Sequence, residues 1–271
     1  MPSTIMFRLA AQIFSAYFLC HVAGVHQNHL NAIEPSPTST PTVVSPQAVA
    51  CPQAVACPQA PGFESIFDGE TLNGWEATPP GTDDAWQAAN GVITGTGGKN
   101  RGYLTYAGNK QLSNLELKLR YRFTGNGNSG VSIRATPDPS KKRGFQSYHA
   151  DLGHVGIGKQ VLGAWDFHTP GRREHRCFRG DRLVIDANDQ PHITPIRNGL
   201  EAKDIHHGQW NHLHIIARDN RFMLYINGKL ASEFTEHLPS DKRLNAGMLQ
   251  LQLHDPDMVV EFKEIMLKVL D

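Results

Sequence analysis

A surplus of charge of either sign is the first thing this 271-residue sequence lacks, since 26 Lys and Arg stand against 26 Asp and Glu. The basic residues are scattered rather than clustered, so no nucleic-acid partner is expected. Cysteine is scarce, with four in all. Once the apolar N-terminal run that holds Cys20 is set aside, Cys51, Cys57 and Cys177 are left, an odd set that does not read as a disulfide-stapled fold. Helical periodicity is nearly absent. So are the His-Glu-x-x-His motif of zinc proteases, the Gly-x-Ser-x-Gly elbow and a phosphate loop. Missing too is the Glu-x-Asp-x-Glu strand by which sandwich glucanases set two carboxylates on one face. Glu261 and Glu264 come nearest, but their odd spacing sends them to opposite faces of a regular strand. Ordinary two-carboxylate hydrolysis has no visible pair.

Long hydrophobic runs are lacking outside the N-terminus. There, Leu9–Gly24 follows Arg8 as a mostly apolar, uncharged run, too short and interrupted for a comfortable membrane span. Residues 1–24 therefore read as a cleaved signal peptide, with lipid attachment at Cys20 or an uncleaved anchor as the alternatives. This reading makes the protein exported, periplasmic or extracellular, with no membrane span in the mature form and cell-surface association left open. Residues 25–61 turn to Pro, Ser, Thr, Ala and Gln, and PQAVAC occurs twice, ending at Cys51 and Cys57. Such a stretch cannot bury enough apolar surface to offset its chain entropy, so it is expected to be a disordered linker. Residues 62–271 remain, enough for one domain with one core.

What that domain has is period two. Leu115–Phe123 (LELKLRYRF) puts five apolar residues on one face and four charges on the other, the mark of a strand buried on one side. In Gly130–Ala135 the alternation sets Val131 and Ile133 inward, Ser132 and Arg134 outward. Phe222, Leu224 and Ile226 form another inward row, and Asn227-Gly228 then supplies the two positive-φ positions of a tight hairpin. Leu249, Leu251 and Leu253 make a further row. The phase changes between Val260/Phe262 and Ile265/Leu267/Val269, which predicts a β-bulge. Many short strands with turn signals argue for an all-β fold, a sandwich or a barrel. Thr136–Gln209 is the exception, long, polar and weakly patterned, and such an insert is more often functional than idle.

Opposite the core, the polar phase reads Gln250, Gln252 and His254 on one strand and His212 and His214 on another. Amides, imidazoles and Arg134 together suit a ligand with several hydroxyls, or else an ordinary solvated sheet face. His212-x-His214 and His206-His207 have no third ligand at a known metal spacing and read better as hydrogen-bonding histidines.

Several segments, in order, resemble the 3-keto-disaccharide hydrolase domain family. They are FESIFDGETLNGW at Phe63–Trp75, WQAANGVI at Trp86–Ile93, NSGVSIR at Asn128–Arg134, Gly144–Gln146 with Ala150–Gly153, GQWN at Gly208–Asn211, Ile226–Gly228, and LQLQLH at Leu249–His254. Gln146 departs from the family pattern, where many members carry Glu. The resemblance implies an all-β fold, a two-sheet antiparallel jelly-roll sandwich of the concanavalin-A-like kind, whose substrate is a carbohydrate, a 3-keto-glycoside cleaved through loss of the C2 proton and of the C1 leaving group. A non-catalytic carbohydrate-binding module is the alternative. On this reading Asp151 is the first choice for a base or a metal-linked carboxylate, with a turn-capping residue before Gly153 as the alternative. His254 is its acid–base partner and Glu236 a reserve carboxylate. Asn128, Arg134, Gln146, Gln252 and Trp165 are candidates for substrate binding. No cofactor is required by the sequence, and a divalent metal is left open.

If residues 25–61 are a linker, limited proteolysis of the full chain trims it and leaves a stable fragment beginning near Gly62. Loss of the whole domain on trimming would contradict the assignment.

Overall fold

The structure, a computed structural model, describes residues 61–98, 102–154, 158 and 160–271. The expected signal peptide, nearly all of the linker, and Cys20, Cys51 and Cys57 lie outside them. In chain order the strands are β1 (Glu64–Ser65), β2 (Trp75–Thr78), β3 (Trp86–Ala89), β4 (Val92–Thr96), β5 (Gly102–Tyr106), β6 (Leu115–Phe123), β7 (Asn128–Pro137) and β8 (Phe145–Gly153). They continue as β9 (Trp165–His168), β10 (Asp181–Ile185), β11 (Pro191–Pro195), β12 (Asn211–Arg218), β13 (Arg221–Ile226), β14 (Lys229–Glu236), β15 (Met248–Leu253) and β16 (Val259–Val269). Only single turns of 3-10 helix interrupt them, and among the described residues no helix is long and apolar enough to cross a membrane.

Two sheets face each other. The larger runs β11-β10-β14-β13-β12-β6-β16-β4-β3, with β1 added on β16, and the smaller runs β2-β5-β15-β7-β8-β9. The pairs are antiparallel except β10 with β14, which run parallel. The all-β sandwich is thus as expected, down to the bulge in β16, where Glu264 takes φ +52 and the register slips between Lys263 and Met266. Val269 is a correction. It is 60% exposed, because it ends the strand beyond the last inward residue, Leu267.

Burial drives the assembly. In β6 burial alternates residue by residue, and Leu115, Leu117, Leu119, Tyr121 and Phe123 meet one core with Val131, Ile133, Leu249, Leu251 and Leu253 of the smaller sheet. An aromatic cluster fills one end of that core: Phe222 stacks on Phe234 at 4.3 Å, and Tyr148 lies 4.8 Å from Phe222.

Thr136–Gln209 is the larger correction. Four strands, β8 to β11, lie within it. β8 escaped notice because seven of its nine residues, Ser147–Gly153, are buried on both faces, so polar and apolar positions are equally enclosed and no exposed phase remains.

Leu119→Ala, in the middle of β6, should lower unfolding free energy by about 2–5 kcal/mol. Lys118→Ala, on the outer side of the same strand, loses the contact of its ammonium with the Phe63 ring and should cost about 1 kcal/mol or less in urea titrations.

Candidate functional site

Strand register builds the site. On the face of the smaller sheet turned away from the core, one transverse row crosses five strands: Thr105 beside Gln250, Gln250 beside Ser132, Ser132 beside His149, and His149 beside Asp166. Along the strands the next positions on that face are Tyr103, Gln252, Gly130 and Asp151, with Tyr103 beside Gln252 and Gly130 beside Asp151. On the other flank of the row His168 pairs with Ser147.

Gly130 is what lets this face close up. A Cβ there would stand 2.2 Å from His149 Nε2 and 2.5 Å from the Ala150 carbonyl oxygen, so the imidazole occupies the space a side chain would need. His149 is fixed further by a 2.8 Å hydrogen bond between Nδ1 and Ser132 Oγ, which also accepts from Ser147 Oγ at 3.2 Å. Its ring stacks on His168 at 4.8 Å, and His168 Nε2 meets Asp166 Oδ2 at 2.9 Å. Gln250 Nε2 donates to Thr105 Oγ1 at 3.1 Å.

The electrostatics separate the ionisable groups. Burial, reinforced by the Asp166 charge, holds the Asp151 carboxyl well above the usual carboxylate range. Asp166 is moved the other way: against the cost of burial, its hydrogen bond and charge contact with His168 and the nearby His149 lower its pKa. Burial and the neighbouring His168 and His254 push His149 down to about 3, so its ring is neutral at physiological pH. His149 Nε2 stands 3.8 Å from Asp151 Oδ1.

Four buried polar atoms of this neighbourhood, His149 Nε2, Gln250 Oε1, Gln252 Oε1 and Asn128 Oδ1, make no hydrogen bond within 3.5 Å among the described residues, although the Gln252 amide and His149 lie close enough to interact. Leaving such atoms unpaired is costly, and a ligand that offers several hydroxyls would satisfy them. A cavity of about 410 Å³ opens beside Asp151, lined also by Asn128, Trp165, Asp166 and His175. A second, of about 490 Å³, is lined by Gln252, His254 and Tyr103. Among the described residues no three His, Cys, Asp or Glu side chains converge as metal ligands would.

The structure therefore brings Asp151, Asn128, Gln252 and His254 to one face. Asn128 is anchored through its backbone N–H to Asp255 Oδ2 at 2.6 Å, and the side chain of His254 is 49% exposed, with Nδ1 2.9 Å from Asp255 Oδ1. Other candidates lie elsewhere. Arg134 was expected on the polar face, but a register shift between Ile133 and Thr136, with φ +50 at Arg134, turns it over the Phe222 ring. There it donates 3.0 Å hydrogen bonds to the carbonyls of Ser113 and Leu244. Glu236 shares the core-facing phase of Phe234 and is wholly buried, bonded to Arg172 and the Tyr148 hydroxyl. Gln146 donates to Thr136 Oγ1 and lines a separate cavity of about 740 Å³ with Arg172 and Arg243. Trp165 packs on Phe234 in the core, its ring 2% exposed, and reaches the site only as a wall of the Asp151 cavity. His212 and His214 belong to the outer face of the larger sheet, where His214 Nε2 meets Glu116 Oε2 at 3.0 Å.

His149, Asp166, His168 and Tyr103 are the participants that sequence reasoning missed, while Ser132 stands on the outward face as its alternation indicated. The available signal was Ser147-x-His149-x-Asp151, three polar residues on one strand face. Asp151 and Asp166, on adjacent strands and one face, also line one cavity, a proximity that no local motif announces.

The family described as 3-keto-alpha-glucoside-1,2-lyase-like domain matches residues 62–268. No curated protein matches the sequence significantly. Among solved structures, a protein of Parabacteroides distasonis provisionally described as a glycosyl hydrolase is 19% identical, with a TM-score of 0.51, over 78% of this chain and 94% of its own. The carbohydrate-binding module CBM66 of Bacillus subtilis is 14% identical, with a TM-score of 0.46, over 72% and 95%. A β-glucanase of Bacillus licheniformis is 10% identical, with a TM-score of 0.45, over 77% and 97%.

The raised Asp151 carboxyl sets a pH dependence with a definite sign. In the unfolded chain Asp151 ionises near its ordinary value of 3.8, whereas in the fold burial makes it hold its proton to higher pH, so this group's contribution to stability is full at low pH. It is lost as pH rises through the unfolded value toward the raised one. Asp151→Asn removes the loss. Its melting temperature should match wild type near pH 4 and exceed it by at least about 2 °C at pH 8. A constant offset across that range would show that the carboxyl is not desolvated.

Proposed function

The chain belongs to the 3-keto-alpha-glucoside-1,2-lyase-like domain family, and from that premise we propose that it cleaves 3-keto-glycosides at the outer face of the six-stranded sheet. The observation that carries the reading is a buried carboxyl, Asp151, beside a neutral imidazole, His149, in a field of unpartnered polar atoms. A carbonyl at C3 acidifies the hydrogen at C2. Asp151, in its ionised form, takes that proton, and burial makes the carboxylate a stronger base than an exposed one. The electron pair moves into an enolate whose oxygen needs a donor, which a neutral His149 with its proton on Nε2, or the Asn128 amide, supplies. Expulsion of the C1 oxygen follows, the double bond forming between C1 and C2, and His254 gives the leaving oxygen a proton. Addition of water to the enone then completes a net hydrolysis.

A second reading has an observation of its own. Asp151 is pushed up by burial and Asp166 held down by His168, the sense in which an ordinary glycosidase separates its acid from its base, so on this reading Asp151 would serve as the acid and Asp166 as the base. The substrates distinguish the two, because an unoxidised glycoside has no acidic hydrogen at C2.

Purified protein should release the aglycone from aryl 3-keto-glucosides, with and without added divalent metal, and in D₂O should place deuterium at C2. Asp151→Asn should lower that turnover at least about 10²-fold with the fold intact. Cleavage of the unoxidised aryl glucoside at a similar rate would favour the carboxylate pair. Tight sugar binding with no turnover of either would leave a carbohydrate-binding module.

A further inference from the structure

The cavity of about 490 Å³ that holds His254 differs in chemistry from the one at Asp151. Its walls are Pro79, Pro80, Tyr103 and Phe145, with Gln252 and His254 at the side facing the rest of the site. The Tyr103 and Phe145 rings meet edge to face at 5.7 Å, 83° apart, and both are half-buried, so each keeps ring surface toward solvent. Pro79 and Pro80 are exposed. Gly102 fixes the approach of β5 to this wall, because a Cβ there would stand 2.2 Å from the Thr78 carbonyl oxygen and force the strand away from the prolines. None of Pro79, Pro80 and Phe145 carries a side-chain donor or acceptor, and none enters the proton transfers above.

Distance ties the two cavities together. Ser132 pairs with Gln250, and Gly130, two residues before it, pairs with Asp151, so the strands that carry Gln252 and Asp151, each a wall residue of one cavity, lie two strand spacings apart, roughly 10 Å. That is the span of a two-ring glycoside. The His149 imidazole lies against Gly130 between them. A sugar bound with C2 at Asp151 and its C1 oxygen toward His254 points its aglycone into the Pro79, Pro80, Tyr103 and Phe145 walls. We propose that this cavity is the leaving-group subsite, and that it selects glycosides whose aglycone presents a flat apolar face, an aromatic ring above all. The proposal rests on the function given above for the direction of the substrate. The aromatic recognition itself stands on the cavity walls alone.

Two measurements keep those layers apart. The first compares kcat/KM for phenyl and methyl 3-keto-β-glucoside. The phenyl compound should be preferred by at least about tenfold, and Phe145→Ala should cut the phenyl-over-methyl ratio at least about fivefold. Phe145→Tyr, which keeps the ring, should retain the preference. Equal use of both substrates by the parent, or an equal loss on both in Phe145→Ala, would overturn the subsite. The second reads binding without turnover, using phenyl and methyl 1-thio-β-glucoside in titration calorimetry. Phenyl binding at least about fivefold tighter, and lost in Phe145→Ala, upholds the aromatic cavity even where neither 3-keto-glucoside is cleaved and the proposed reaction has failed. Equal binding of the two thioglucosides rejects it whatever the activity shows.

Discussion

Desolvation of polar groups on the outer face of the smaller sheet is the constraint on which the site depends. Such burial is tolerated only where hydrogen bonds compensate it. The chain meets part of the demand internally, through Ser132 with His149, Gln250 with Thr105 and Asp166 with His168. The part it leaves unmet sits at His149 Nε2 and the amide oxygens of Gln250, Gln252 and Asn128. The same desolvation that creates this demand also separates the ionisable groups. Burial pushes the Asp151 carboxyl up and the His149 imidazole down, while His168 holds the Asp166 carboxyl below its ordinary value against the cost of burial.

How much of this the sequence could tell depended on whether a strand exposes one of its faces. β6 was legible to the residue, because its outer side is charged and its inner side apolar. β8, which carries Asp151 and His149, was hidden by the very enclosure that makes it functional. Asp151 was found through resemblance to a family motif rather than through periodicity. Asp166 and His168 come from a four-residue strand joined to β8 only by register, which no local pattern encodes.

Bulges account for the misplaced candidates as well as for one success. The slip in β16 could be read from the apolar phase on both its sides. The slip after Ile133 could not, because Ala135 and Thr136 do not declare a side, and so Arg134 was assigned by parity to a face it never reaches. Glu236 was misjudged for a different reason. Charge alone suggested solvent or chemistry, whereas its phase within β14, two residues after Phe234, pointed inward.

The pairing of Glu236 with Arg172 and the Tyr148 hydroxyl joins β14, the segment after β9 and β8 at one buried point. Taking away the guanidinium alone would strand a carboxylate in the core, and taking away the carboxylate alone would strand the cation, each costlier than losing the whole arrangement at once. Drift through single substitutions is therefore blocked at these positions, although an apolar trio of similar volume would be acceptable. Across homologous chains, then, Tyr148, Arg172 and Glu236 should covary, persisting as a set or giving way as a set.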